Sequence, residues 1–128
     1  MVGDVRDLIP KSKVDLATAE AAVTAGFPAV LPILPDLFVW LQDANWPVAK
    51  ILAPFLAGIG APALPAIRYV LASSDIMWKY WVLTMVVENL PLHALEGLRL
   101  DLVRLAAEPS EEAVEVEARR ILSLIPPP

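Results

Sequence analysis

One helical stretch in the middle of the chain, Gln42 to Gly60, constrains the possible folds most. Its bulky apolar residues recur at the spacing that places side chains on one face of an α-helix. They are Val48, Ile51, Leu52, Phe55, Leu56 and Ile59. Asn45 is typical of an N-cap, and Pro47 suits the first turn, where a missing N–H costs nothing. The opposite face carries Trp46 and Lys50 and is otherwise small. Because a helix with a bulky face and a small back can pack between two neighbours, we expect an inner helix of a stacked array.

The rest of the chain also has helical patterning. It contains no run of alternating apolar and polar residues and no Asn-Gly hairpin turn. Asp15 is expected to cap the first helix, and one of Ser73, Ser74 and Asp75 is expected to cap the fifth. The expected helices cover residues 15–25, 33–42, 46–58, 62–72, 76–89, 92–107 and 111–124. The sequence therefore predicts an all-α fold of about seven helices. We expect one domain over residues 1–128, because this length is too short for two ordinary domains.

A weak internal repeat indicates how the helices are arranged. Leu34-Pro35 and Leu64-Pro65 both open the second part of a helical segment, 30 residues apart. Each unit is then a helix pair of about 30 to 35 residues, which is near the period of helical-hairpin solenoids. The fifth helix, IMWKYWVLTMVVENL, is apolar nearly all round and must be covered on two sides. These features favour a short right-handed α-solenoid over an irregular bundle. The residues expected to be deeply buried are Leu52, Phe55, Trp81, Val82 and Met85.

Composition argues against several classes of protein. Apolar residues make up 57% of the chain, but the longest uncharged window, Ile51 to Ile67, is interrupted by proline and glycine. A membrane-spanning helix needs about 20 apolar residues in a row, so we expect no span. The N-terminus lacks the basic start and apolar run of a secretory signal. The absence of cysteine excludes disulfides and thiolate catalysis and fits a cytoplasmic bacterial protein. The net charge of −5 argues against nucleic-acid binding, which depends on Lys and Arg.

Signals for catalysis and metal binding are weak. The one histidine, His93, has Glu96 at i+3, but a stable metal site needs three or four ligands. No nucleophile-elbow, phosphate-loop or dinucleotide motif is present. The acidic run of Glu111, Glu112, Glu115 and Glu117 has two interpretations, a cation site or a solvated helix face. The solvated face is more typical, with Glu115 and Arg119 as an i,i+4 pair. We therefore expect no enzyme, no cofactor and no metal.

The tryptophans and their polar neighbours form the candidate binding site. Its residues are Asp43, Asn45, Trp46, Lys50, Trp78 and Lys79. They lie at or near the N-terminal ends of the third and fifth helices, one repeat apart, so a solenoid would bring them into one patch. Within it, Lys79 should reach solvent or pair with Asp43, because a buried unpaired lysine is costly. Two interpretations stay open: helix caps with tryptophans in the core, or an aromatic-polar surface that grips a partner.

Three segments of the chain, LIPKSKVD, WLQDANWPVAKILAPFL and DIMWKYWVLTMVV, resemble the bacterial family called domain of unknown function 5071. The resemblance covers about Arg6 to Leu122. Its most specific parts are Leu8 to Lys11, Gln42-Asp43, Asn45 to Ala49, Ala53-Pro54 and Trp78 to Trp81. The resemblance implies a small protein of HEAT-like helix pairs and adds no assigned activity.

Three function classes follow, in order of preference. The first is a protein-interaction or adaptor module that uses a tryptophan-containing face, since solenoid faces commonly serve this purpose. Its acidic charge would steer a basic partner, and an immunity-type inhibitor of a basic toxin is one concrete version. The second is a small-molecule or peptide binder with a tryptophan-lined pocket. An enzyme comes last, because no nucleophile–base pair or ligand cluster is apparent.

Overall fold

The computed structural model describes residues 3–110 and 113–127, and within them the chain is all-α. The helices are α1 (Leu16–Ala25), α2 (Leu34–Val39), α3 (Pro47–Ile59), α4 (Leu64–Leu71), α5 (Ile76–Met85), α6 (Leu92–Glu96), α7 (Arg99–Ala106) and α8 (Val114–Leu122). Short 3-10 helices cover Val5–Leu8, Leu31–Ile33, Ala61–Ala63 and Val87–Asn89. No strand occurs in these two stretches, which confirms that the fold is all-α.

Two of the predicted caps are confirmed and one is wrong. The Asp15 carboxylate accepts the Thr18 N–H at 3.3 Å, and the Asp75 carboxylate accepts the Trp78 N–H at 3.0 Å. Asn45 does not cap α3; its own N–H donates to Asp43 Oδ1 at 2.8 Å. Instead, a backbone carbonyl of the segment before α1, that of Lys13, accepts the Val48 N–H at 3.2 Å. An acceptor from a distant part of the chain thus replaces the local cap that the sequence suggested.

The predicted sixth helix is two helices, so the described residues contain eight α-helices rather than about seven. At the break, the Gly97 N–H donates to the Ala94 carbonyl and the Leu98 N–H donates to the Leu95 carbonyl. Bonds to the third preceding residue are typical of a 3-10 turn, and this turn separates α6 from α7. The Gly97 carbonyl accepts the Arg68 guanidinium at 2.7 Å. The other predicted helices differ at their ends: α2 ends at Val39 and α5 at Met85. The predicted start of the last helix at 111 lies outside the described residues.

The helices contact one another in two rows. In one row α1 packs against α3 and α3 against α5; in the other α2 packs against α4 and α4 against α7. The last helix, α8, contacts both α5 and α7. No described helix is by itself long and apolar enough to cross a membrane, and the only pair to pass on length and composition, Pro47–Ile59 with Ala61–Leu71, is bent by 116°. The contact between α2 and α4 positions the candidate site, because residues of these two helices form its walls.

The buried hydrophobic residues form one core cluster to which helices of both rows contribute. Its largest fully buried side chains are Phe38, Ile33, Leu37, Leu41, Leu52, Leu56, Ile67, Leu71, Leu83, Leu98, Leu102 and Ile121. The predicted burial of Leu52 and Val82 is confirmed, but Phe55, Trp81 and Met85 are only half-buried. On α5 the buried residues are Trp78, Val82 and Leu83, so of the three α5 residues expected in the core only Val82 is buried. An apolar surface all round α5 gave no preferred rotation, and the contacts with α3, α4 and α8 set it.

Candidate binding groove between α2 and α4

The candidate site is a groove built by the two Leu-Pro segments of the repeat. Leu34-Pro35 opens α2 and Leu64-Pro65 opens α4, and a 3-10 turn containing another proline precedes each. Proline is compatible with these first turns because its fixed φ suits a helix start. The groove has a volume of about 470 Å³. Its lining residues are Pro35, Asp36, Phe38, Val39, Pro65, Ala66, Tyr69, Val70 and Trp78.

Trp78 is the one groove residue contributed by α5, and it is held rigidly. Its side chain is buried, with 8% of the residue exposed. The indole N–H donates to the Phe38 carbonyl at 2.9 Å, across 40 residues of chain. The Tyr69 ring meets the indole edge-on, with centroids 6.4 Å apart and an interplanar angle of 71°. Because its only polar atom is already bonded, Trp78 offers the groove apolar ring surface alone.

The walls of the groove present equivalent positions of the repeat to each other. Pro35 corresponds to Pro65, directly after the repeated leucine, and Val39 corresponds to Tyr69, five residues after it. Both members of the second pair are exposed, Tyr69 to 72% and Val39 to 42%. The groove therefore has an apolar rim that none of the described residues covers. Apolar surface clustered in this way, unlike scattered exposed residues, is characteristic of binding sites.

Charge is carried by one wall only. Asp36, in the first turn of α2, is the single charged residue among those that line the groove. The equivalent residue on α4 is Ala66. The Asp36 side chain is exposed, and it forms no ion pair with another described residue. The groove thus combines an apolar floor with one unpaired carboxylate at its edge.

The six predicted site residues have different neighbours, and none of the depressions described is lined by more than one of them. The two tryptophans are in different aromatic pairs: Trp46 packs edge-on against Trp40 at 5.7 Å, whereas Trp78 packs against Tyr69. Asp43 forms a local turn with the exposed Asn45. Of the six, only Trp78 lines the groove between α2 and α4.

The two predicted lysines lie in separate surface depressions. Lys50 lines one of about 590 Å³ together with Pro54 and Met85, and Lys79 lines another of about 670 Å³ together with Ile76 and Leu105. Lys79 does not pair with Asp43. Lys79 is also separated from Trp78, because consecutive residues of α5 point about 100° apart and therefore face different neighbours.

Asp36, Val39 and Tyr69 were not among the residues predicted for the site, because none of them is a tryptophan or a polar neighbour of one. A signal was nevertheless present in the Leu-Pro repeat. Comparing the residues that follow Pro35 and Pro65 would have shown an acid on one helix and an aromatic on the other.

Within the part of the chain that the structure describes, neither His93 nor Glu115 belongs to a candidate metal site. His93 is exposed near the start of α6, and the described residues contain no cluster of three or more His, Asp or Glu side chains that could hold a metal. Glu115 does not pair with Arg119; its carboxylate accepts the Ser110 N–H at 3.1 Å and the Ser110 hydroxyl at 3.0 Å. The pKa of Glu115 is below its ordinary value mainly because its carboxylate accepts a hydrogen bond from its own backbone; the hydrogen bonds from Ser110 lower the pKa further. The other two acids expected at this helix start, Glu111 and Glu112, lie outside the described residues.

Comparison with known proteins gives a family and no activity. A search of curated proteins gave no match. A family model described as domain of unknown function (DUF5071) matches residues 8–122, which include α1 to α8 and every residue of the groove. Since the match covers most of the chain, the protein belongs to the DUF5071 family.

Proposed function

We propose that this protein is a protein-interaction module and that the groove between α2 and α4 receives a partner. The observation that carries the proposal is the rigid Trp78 floor beneath the exposed Tyr69 rim. Tryptophan and tyrosine are enriched at binding hot spots because they offer large apolar surface at low conformational cost. The role is one of binding without catalysis, and the cytoplasm is the proposed location.

The helix contacts support a HEAT-like array as the scaffold for this role. On this view α1 with α2 and α3 with α4 are two stacked helix pairs, α5 with α6 and α7 is a third unit whose second helix is broken, and α8 is a terminal cap. The contacts along the rows α1–α3–α5 and α2–α4–α7 are those that stacked pairs require. Equivalent helices then lie side by side, which is why the two Leu-Pro segments form facing walls. Binding surfaces of repeat proteins are built from such equivalent positions.

A second candidate is a binder of a small molecule or short peptide. The groove volume of about 470 Å³ is within the range of ligand sites, about 300–1,000 Å³. The protein partner is preferred because Tyr69 and Val39 project at the rim, where a ligand confined to the floor would leave them in water.

The proposal is tested by crosslinking from the groove. A photoreactive phenylalanine analogue is placed at position 69, and a matched control carries it at Leu100, which is 82% exposed on α7 and does not line the groove. We expect irradiation of cells expressing the variants to give a discrete adduct from position 69 alone. The adduct partner is identified and purified, and its affinity is measured by calorimetry.

The affinity measurement compares wild-type protein with Tyr69→Ala and Leu100→Ala. Loss of an aromatic hot spot should weaken binding by about tenfold or more, because such residues contribute about 2 kcal/mol or more. Leu100→Ala should bind as wild type does. Thermal melts check that both variants are folded. Equal affinity of all three proteins would refute the groove as the interaction site, and a dissociable small molecule retained only by groove-intact protein would favour the second candidate.

A further inference from the structure

We infer that the groove selects a linear protein segment in which a bulky apolar side chain lies within about two residues of a lysine or arginine. This inference rests on the proposed interaction function and specifies its partner. The apolar side chain would pack on Trp78 and the cation would pair with Asp36. Both requirements follow from the residues that line the groove.

The apolar requirement comes from the floor. The indole N–H of Trp78 is bonded to the Phe38 carbonyl, and it therefore has no donor left for a ligand. Of the wall residues, Pro35, Pro65 and Val39 carry no side-chain hydrogen-bonding groups, and the polar groups of the groove belong to the exposed side chains of Tyr69 and Asp36 at its edge. A polar side chain placed there would lose its hydration without gaining a partner, which is unfavourable. An aliphatic or aromatic side chain has no hydrogen bonds to water to lose, and it buries apolar surface.

The cationic requirement comes from Asp36. Its carboxylate is the single charge among the described lining residues and is unpaired within the described chain. A partner that covers the apolar walls also removes water around this carboxylate, so an uncompensated charge would weaken binding. A cation restores the compensation, and the attraction strengthens as water is displaced. The exposed Tyr69 ring on the facing wall favours the same sign of charge through its π face.

The spacing of the two requirements follows from the size of the groove. Asp36 and Trp78 line the same space of about 470 Å³. An extended chain advances about 3.3 Å per residue, so side chains that fill both positions belong to neighbouring residues of one segment. The asymmetry of the walls, Asp36 on α2 and Ala66 at the equivalent position on α4, also fixes on which side the cation lies.

The test is a selection from phage-displayed random linear peptides against the full chain. Three further proteins are screened in parallel: Asp36→Lys, Asp36→Asn and Glu20→Lys. Glu20→Lys is the matched control, because Glu20 is an exposed acid on α1 outside the groove. We expect wild type and Glu20→Lys to enrich the same motif, with Lys or Arg within two residues of a large apolar residue. Asp36→Lys should enrich Asp or Glu in place of the cation, because the charge on the wall is reversed.

The selected peptides are then resynthesised and their affinities measured. Asp36→Lys should weaken binding of a wild-type peptide by at least about tenfold, and Asp36→Asn by a smaller factor that vanishes at high salt. Circular dichroism checks folding, and Asp36→Asn carries the test if Asp36→Lys fails to fold. Peptides whose binding needs Tyr69 but shows no preference for cations, or no response to either Asp36 variant, would overturn the inference and leave the interaction function standing. Peptides whose binding is indifferent to Tyr69→Ala, or no enriched peptide at all, would also overturn the inference, whereas the interaction function itself is refuted by equal affinities in the crosslinked-partner measurement.

Discussion

Replacing Trp78 by phenylalanine should destabilise the protein by about 2 kcal/mol. The magnitude has two parts. The variant loses the buried hydrogen bond from the indole to the Phe38 carbonyl, and such a bond contributes about 1 kcal/mol net. That carbonyl still accepts the Leu41 N–H at 3.0 Å, so no buried acceptor is left without a partner. The smaller ring also gives up contacts with its buried surroundings, at a cost of about 1 kcal/mol.

The matched control is Trp81→Phe, one helical turn further along α5. Trp81 is half-buried, and its indole donates no hydrogen bond to any described residue. Its main aromatic contact is with Tyr80, with centroids 5.0 Å apart, and phenylalanine retains an aromatic ring there. The expected destabilisation is about 0.5 kcal/mol or less, as for surface substitutions.

Urea denaturation followed by far-ultraviolet circular dichroism measures both variants, since this signal does not depend on the tryptophan that was removed. A domain of this size has a urea m-value of about 1–3 kcal/mol/M, so Trp78→Phe should lower the midpoint by about 1 M at unchanged m-value. If both variants were destabilised equally, or if Trp78→Phe stayed within about 0.5 kcal/mol of wild type, the assignment of Trp78 as the buried anchor would be wrong.

Three further predictions concern local structure. Gly97→Ala should destabilise the protein by about 1–3 kcal/mol, because the added Cβ would lie 2.8 Å from Leu64 Cδ1. In the same denaturation assay Gly58→Ala should stabilise α3 by up to about 1 kcal/mol, because a Cβ at position 58 would have no other atom within 4 Å. Asp75→Ala should cost about 1 kcal/mol through loss of the α5 cap, and Asp75→Asn should restore most of it. Hydrogen bonds, first from the Lys11 N–H and second from Thr18, hold the pKa of Asp15 below its ordinary 3.8 in the folded protein. The stabilisation from Asp15 is therefore present above pH 3.8 and is lost as the pH falls through the lower folded-state pKa. Melts of Asp15→Asn should lack this part of the acid dependence, and an unchanged acid profile would contradict the prediction.

Local sequence patterns predicted the helices because their causes are local. Asp15 and Asp75 each bond to a backbone N–H three residues later, so a short segment contains both donor and acceptor. The bulky stripe of α3 has a unique direction, and it placed Leu52 in the core. The repeated Leu-Pro pairs likewise marked the starts of α2 and α4.

Tertiary contacts decided the features for which the local pattern had several solutions. The α5 sequence is apolar all round, so it does not determine how deeply Trp78 and Trp81 are each buried; packing against α3, α4 and α8 buries Trp78 and leaves Trp81 half-buried. The sequence around α3 suggested Asn45 as a cap, but the Lys13 carbonyl takes an N–H of the first turn of α3. The sequence alone thus determined which segments are helical, through bonds between near neighbours. Only the tertiary structure decided which side chains meet, because the groove requires α4 and α5 to meet α2, which lies 30 to 40 residues earlier in the chain.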